Sequence, residues 1–290
     1  SNARLLSHVR MLQDARDFRD RGPAVLRPKC WIAVSEVVRK ELREGELEEL
    51  PTYMIHDPFD IQEFVDGASS NSAVEVRKEL GLPEERKLVS MIGRVCHNKQ
   101  QHLFVEAAAS IDRADTTYLI VGGDPVRSDG TTPYRESLLA RIADLGLSDR
   151  VIVTGMRADV ARLMAASNAI VLVSEEEAFA RVLLEAMSLK VPVIGPADGG
   201  PGEIIGDDER GLTFPTGDIP ALSRCIVRAL GDLSGTAQRS KAGYDWLRSE
   251  CARATIATAT CCTRPLSRMP WIAISNPIRP ASVGNCSHCW

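Results

Sequence analysis

Two stretches of this chain carry side chains of the types that grip a phosphorylated ligand. The first, Gly93-Arg94-Val95-Cys96-His97-Asn98-Lys99, sets two cations five positions apart. Arg offers a planar fork of donors and Lys a compact point charge, so the pair matches a diphosphate. A solvated basic turn would carry the same residues, and this motif alone leaves both readings open. The second stretch is Ser174-Glu175-Glu176-Glu177-Ala178-Phe179-Ala180-Arg181-Val182-Leu183-Leu184-Glu185. Its three successive acids suit a solvated edge as well as a site. Glu185 differs, because it lies in the apolar run RVLLEAM, where a carboxylate is costly without partners.

Both motifs need a scaffold to aim them, and the surrounding pattern supplies one. Short β-branched runs (KLVSMIG, TYLIVGG, RVIVTG, AIVLVS, VPVIGP and GLTFP) begin at 87, 117, 150, 169, 191 and 211. Helical patterns separate them: KQQHLFVEAAASI, YRESLLARIADLGL, ADVARLMAAS, RVLLEAMSLK and a short GEIIGD. This alternation predicts an α/β fold, a doubly wound parallel, Rossmann-like sheet with helices on both faces. Ligands of such sheets bind beyond the carboxyl ends of the strands, where both motifs fall. Helical side chains lean toward the N-terminus, so Glu185 is expected to point back at the loop holding Glu177. A carboxylate there can accept bonds from two vicinal hydroxyls, as on a ribose. The free N–H groups of the first helical turn, about Phe179 to Val182, favour an anion.

Upstream and downstream the pattern is sparser. Residues 4 to 18 predict an amphipathic helix, with Leu5, Leu6, Val9 and Leu12 on one face. WIAV (31–34) predicts a short buried strand, and Ser35 caps a helix beginning EVVRKEL. The small, polar DGASSNS (66–72) reads as a linker. The chain thus divides into residues 1–65, a regular layer over 66–250, and a tail over 251–290. The tail holds five of the eight Cys and no acid. It lacks helical period, and irregular or disordered chain, or translation in a shifted frame, is expected. Cys286-x-x-Cys289 with His288 is at most half a zinc site. Structural zinc needs four ligands, and Cys261 and Cys262 lack ligand-like spacing.

The 290 residues are 44% hydrophobic and 26% charged, with a formal charge of −4. Nothing in that balance asks for nucleic acid or an anionic membrane, so phosphate must be bound by a few placed residues. No apolar run approaches the roughly 20 residues that span a bilayer, and no signal peptide opens the chain. Cys30, Cys96 and Cys225 sit singly, as reduced thiols do in a cytoplasmic protein. Ser1-Asn2-Ala3 is read as the scar of a cleaved tag, and a truncated chain is expected.

Together the motifs resemble those of the retaining glycosyltransferases of family 4, whose GT-B fold pairs two Rossmann-like domains. Glu177 and Glu185 match the family's E-x7-E signature, and EAFARVLLEAM is similar to its E-G-F-G-x-x-x-x-E-A-M. Gly93 to Lys99 match G-R-x-x-x-x-K-G, and Asp57-Pro58-Phe59-Asp60 with Phe64 is similar to the interdomain linker. Gly199-Gly200-Pro201-Gly202-Glu203 and the run from Gly211 to Asp218 fall where later landmarks do. The likeness covers about residues 31 to 250.

The resemblance implies a role for each matching residue. Arg94 and Lys99, in the loop opened by Gly93, hold the diphosphate and neutralise charge as it leaves. Glu185 binds the ribose hydroxyls. Glu177 contacts the donor sugar, helped by amides near Phe179 and Ala180 and by the helix start at Arg181 and Val182. Met156 and Arg157 flank the base. The implied donor is a UDP- or GDP-linked sugar, and the acceptor is an unidentified hydroxyl. No cofactor or catalytic metal is expected, since the chain has no D-x-D triplet and preorganised cations already stabilise the leaving charge.

The family's acceptor-binding domain is expected to be absent, apart from a remnant over residues 4 to about 50. Any peripheral membrane contact would belong to that domain. Such a chain should bind donor but hardly catalyse transfer alone. Gln100, Ala180 and Lys190 stand at usual glycine positions. They favour a second reading, a non-catalytic nucleotide-sugar-binding or protein-interaction module. An epimerase or phosphorylase of the same architecture fits E-x7-E beside the G-R…K loop poorly. His8, His56, His97 and His102 read as surface or loop residues, with His97 alone inside the phosphate loop.

Overall fold

A computed structural model describes residues 4–11, 14–16, 30–44, 51–57, 59–69, 72–125, 132–263 and 271–274. The chain divides into two compact units. One comprises Ser1–Phe59, Glu177–Phe179 and Ser249–Trp290; the other comprises Asp60–Glu176 and Ala180–Arg248.

The first unit holds a four-stranded sheet whose pairings are all parallel. Strand β1 (Arg4–Val9) pairs on one edge with Trp271–Ile274 and on the other with β2 (Cys30–Ala33). β2 pairs in turn with β3 (Thr52–Met54). The helix expected to begin at residue 4 is therefore corrected: RLLSHV is a strand. A short apolar run reads alike as buried helix or parallel strand, and pairing on both edges decides between them. WIAV does supply the expected strand, as β2. Helix α1 (Glu36–Arg43) follows, and its Val38 N–H donates to the Ser35 Oγ at 3.4 Å. Val38 and Leu42, one turn apart, share a core with Val9, Trp31, Ala33 and Val34.

The second unit is the doubly wound layer that strand–helix alternation predicts. Strands β4 (Lys87–Ile92), β5 (Thr116–Val121), β6 (Val151–Gly155), β7 (Ala169–Val171), β8 (Val193–Pro196) and β9 (Leu212–Phe214) form one six-stranded sheet. All pairings are parallel, in the order β6-β5-β4-β7-β8-β9. Helices α2 (Ile61–Asp66) and α3 (Ser72–Glu79) precede the sheet, and the first and last residues of DGASSNS, Asp66 and Ser72, belong to them. Helices α4 (Gln101–Ser110), α5 (Pro133–Asp144), α6 (Val160–Ala166), α7 (Arg181–Ser188) and α8 (Gly199–Ile205) separate the strands. α9 (Ile219–Gly231) and α10 (Leu233–Thr263) follow the sheet, with α10 belonging to this unit as far as Arg248. α10 continues past Glu250, where the sequence pattern predicts irregular chain. Cys286, His288 and Cys289 lie outside the described residues.

Side chains alternate along a strand, so each strand feeds two layers. Val89, Met91, Tyr118, Ile120 and Ile194 share a core with Phe104, Val105, Leu138 and Ile226. The intervening Leu88, Ser90 and Leu119 are buried as well, and the Ser90 hydroxyl meets that of Ser167 at 2.6 Å. Burial on both faces explains why these strands read as continuous apolar runs.

Candidate functional site

In the second unit β4 lies between β5 and β7. The winding direction reverses there, and in open α/β sheets such a switch point is where ligands bind beyond the carboxyl ends of the strands. Both chemistry-bearing loops leave the sheet at this switch point, one after Ile92 and the other after Val171.

The cationic loop is pinned by its own backbone. Gly93 N–H donates to the Val121 carbonyl and Val95 N–H to that of Gly123, each at 2.9 Å. The cationic loop and the end of β5 lie so close that a Cβ on Gly122 would sit 1.9 Å from the Gly93 oxygen. Only glycine fits at 122. The buried Gln101 side chain donates from Nε2 to the Arg94 carbonyl at 2.7 Å. Arg94 then stands exposed, and Lys99 half-buried, at the end of the 3-10 turn His97–Lys99.

The acidic loop is tied to the cationic one through Glu175. Glu175 N–H donates to the Asn98 carbonyl at 3.3 Å, and Gln100 Nε2 donates to Glu175 Oε2 at 2.7 Å. Glu176 adopts φ 52, a left-handed conformation that costs a non-glycine residue about 1 kcal/mol. α7 begins after Ala180, and the first-turn amides of a helix stand outside its i→i−4 ladder. Glu185 is 5% exposed in a turn where Leu183, Leu184, Ala186 and Met187 are also buried. The Arg181 Nε lies 3.2 Å from its Oε1. Burial outweighs that cation and pushes the Glu185 carboxyl up to about 7. A carboxylate this poorly solvated gains from any ligand hydroxyl that donates to it.

Glu177 and Phe179 group with the first unit. There Phe179 stacks on His56 with centroids 5.3 Å apart, and His56 Nδ1 lies 3.3 Å from Glu250 Oε2. His56 lies in the loop after β3, as the sequence suggests, and is half-buried there.

The loop after β6 presents Met156, 82% exposed, beside Gly123. Its neighbour Arg157 is engaged by protein acids. Its fork binds both Asp159 oxygens at 2.7 Å and reaches Glu79 at 3.4 Å. The Asp159 bond raises the Arg157 pKa, and the same bond holds the Asp159 carboxyl below the usual carboxylate range.

Of the positions where glycine is usual, Gln100 and Lys190 do adopt positive φ, at 51 and 57. Ala180, at φ −86, needs no glycine. His97 packs on Tyr134 at 4.6 Å between centroids, and both line a cavity of about 670 Å³ with His102, Asp124 and Arg135. Sequence reasoning passed over Gly122, Gln101 and the Gln100–Glu175 tie. The Gly-Gly pair after the second strand, and two polar residues opening an apolar helix, were the available signals.

Residues 73–246, more than half of the chain, match the sequence pattern of the family described as glycosyl transferases group 1. This chain belongs to that family. It is 29% identical over 180 residues to a 2-deoxystreptamine glucosyltransferase of Streptomyces kanamyceticus, covering 60% of this chain and 44% of that protein. It is 33% identical over 159 residues to an N-acetyl-alpha-D-glucosaminyl L-malate synthase of Bacillus anthracis, covering 54% and 40% respectively. The chain thus spans less than half the length of these curated relatives. HepE of Anabaena, crystallised in complex with UDP and glucose, superposes with a TM-score of 0.77 at 24% identity. That superposition covers 90% of this chain and 71% of HepE, and it shows the shared Rossmann-like fold. Among the described residues no helix is long and apolar enough to cross a membrane.

Proposed function

We propose that this chain carries the donor site of a retaining, metal-independent glycosyltransferase of family 4, of the hexosyltransferase type. It takes a sugar from a UDP- or GDP-linked donor and passes it to a hydroxyl acceptor. Arg94 and Lys99 face the diphosphate and offset the charge that grows on it as the bond to the sugar breaks. The first-turn amides of α7 add dipolar stabilisation of the same anion. Glu185 accepts bonds from the ribose hydroxyls, and Glu177 addresses the donor sugar. Met156 offers an exposed apolar side chain to the base, with the ion-paired Arg157 beside it. HepE was crystallised with UDP, which supports a uridine nucleotide here. A cytoplasmic location fits the absence of a disulfide at Cys30, Cys96 and Cys225.

The observation that carries this reading is Glu185, a carboxylate buried to 5% exposure on the helix that opens at the switch point. Burying it without a polar ligand to serve would be a poor bargain. Titration calorimetry with UDP, GDP and their hexose conjugates tests the idea. Micromolar binding is expected, weakened about tenfold or more in Glu185→Ala. No heat at millimolar nucleotide, or an indifferent Glu185→Ala variant, would overturn the reading. Retention is read separately, from the anomeric configuration of the product by NMR.

A further inference from the structure

We propose that Gln100 is a positioning residue of the nucleotide site: through Glu175 it sets the spacing between the cationic loop and the loop leading into α7. The proposal rests on the donor-site reading above. Gln100 holds a left-handed backbone, φ 51 and ψ 41, at a position where the family resemblance expects glycine. A strained conformation persists only where its surroundings over-determine it, and here the side chain supplies the reason. Gln100 Nε2 donates to Glu175 Oε2 at 2.7 Å, across a separation of 75 residues. Only the NH₂ end of the amide can face a carboxylate, so its orientation is fixed. Oε1 is thereby left buried and without a hydrogen-bond partner.

The main chain repeats the tie, with Glu175 N–H donating to the Asn98 carbonyl at 3.3 Å. The adjacent Gln101, fully buried, donates to the Arg94 carbonyl at 2.7 Å. Consecutive glutamines therefore hold one loop at two points. Gln101 fixes where Arg94 emerges, and Gln100 fixes how far the loop stands from its neighbour across the switch point. Along the chain, Arg94 and Lys99 precede Gln100 in the cationic loop, and the α7 amides follow Glu175. A slack strap loses preorganisation, which shows as weaker ligand binding with an intact fold.

Glycine at 100 would relieve the backbone while cutting the tie, so stability and affinity should move in opposite directions. The test compares Gln100→Gly, Glu175→Gln and Glu175→Ala in the full chain, by thermal denaturation and UDP calorimetry. Gln100→Gly is expected to melt at or above the wild-type temperature yet bind UDP about fivefold more weakly. The two Glu175 variants remove the same charge and differ only in the tie, since glutamine still accepts through its oxygen. The alanine variant is therefore expected to bind about fivefold more weakly than the glutamine variant. Wild-type UDP affinity in Gln100→Gly, or equal affinities at 175, overturns the proposal. So does a fall in melting temperature with affinity unchanged, the mark of a merely structural contact. A wild-type chain that binds no nucleotide refutes the donor-site reading and the strap with it, a result distinct from a binding wild type with indifferent variants.

Discussion

The two loops that meet at the switch point are held by different means. The cationic loop is anchored by main-chain bonds to Val121 and Gly123, by a contact with room only for glycine at 122, and by the buried Gln101 amide. The acidic loop carries Glu176 at φ 52, keeps the Ser174 hydroxyl buried without a partner, and is tied through Glu175. Backbone anchoring fixes where Arg94 leaves the main chain, and in the proposed donor site this spares part of the reorganisation that binding a diphosphate costs. The acidic side stores strain and an unmet hydroxyl, both of which a ligand can relieve. In the proposed site, then, one loop is set mainly by its main chain, while the other carries strain at Glu176 and an unmet hydroxyl at Ser174.

That contrast breaks most severely at Gly122. A Cβ there meets backbone rather than a movable side chain, so Gly122→Ala should cost about 2–3 kcal/mol of stability and abolish nucleotide binding. Urea unfolding and calorimetry check both. An alanine variant of wild-type stability would mean that the cationic loop is not preset.

Glu185 comes next, through pH. Its folded pKa is raised from 4.5 to about 7, so folding favours the protonated form. The folded state is thus relatively most stable below about pH 4.5, and this advantage is lost as pH climbs through 7. The loss approaches about 3 kcal/mol by pH 8. Glu185→Gln, always neutral, should match wild type near pH 4 and exceed it increasingly toward pH 8. A gap that ignores pH would show that Glu185 is not a desolvated acid. UDP affinity of the wild type should also rise through pH 7, because hydroxyl donors favour the ionised carboxylate.

Arg94→Ala separates function from fold. The side chain is exposed, so stability should change by less than about 0.5 kcal/mol while UDP binding weakens about tenfold. Equal effects on both would blur the distinction between the loops. Lys190→Gly gives the smallest effect and serves as a reference outside the site. It removes a positive φ but also a cation–π contact with Tyr244 at 4.7 Å. The two changes should cancel to within about 0.5 kcal/mol, as melting curves would register.

Much of the second unit was legible because its signals are local. Six β-branched runs, separated by five helical patterns, became the six strands of one parallel sheet. Glu185 in an apolar helix announced itself by being out of place. The first unit was less legible at Arg4–Val9, where Leu5, Leu6 and Val9 suit a helix face as readily as a strand. Only pairing with Cys30–Ala33 and Trp271–Ile274, remote in the chain, makes the choice.

By itself, then, the order of residues determined which segments are strand or helix in the regular layer and which side chains are chemically suited to a diphosphate. Tertiary structure alone decided that Gly122 touches Gly93, that Gln100 reaches Glu175, and that Arg157 is taken up by Asp159 and Glu79. Propensity and periodicity are properties of neighbours along the chain. Close approach and hydrogen-bond partnership depend on which strands end up side by side.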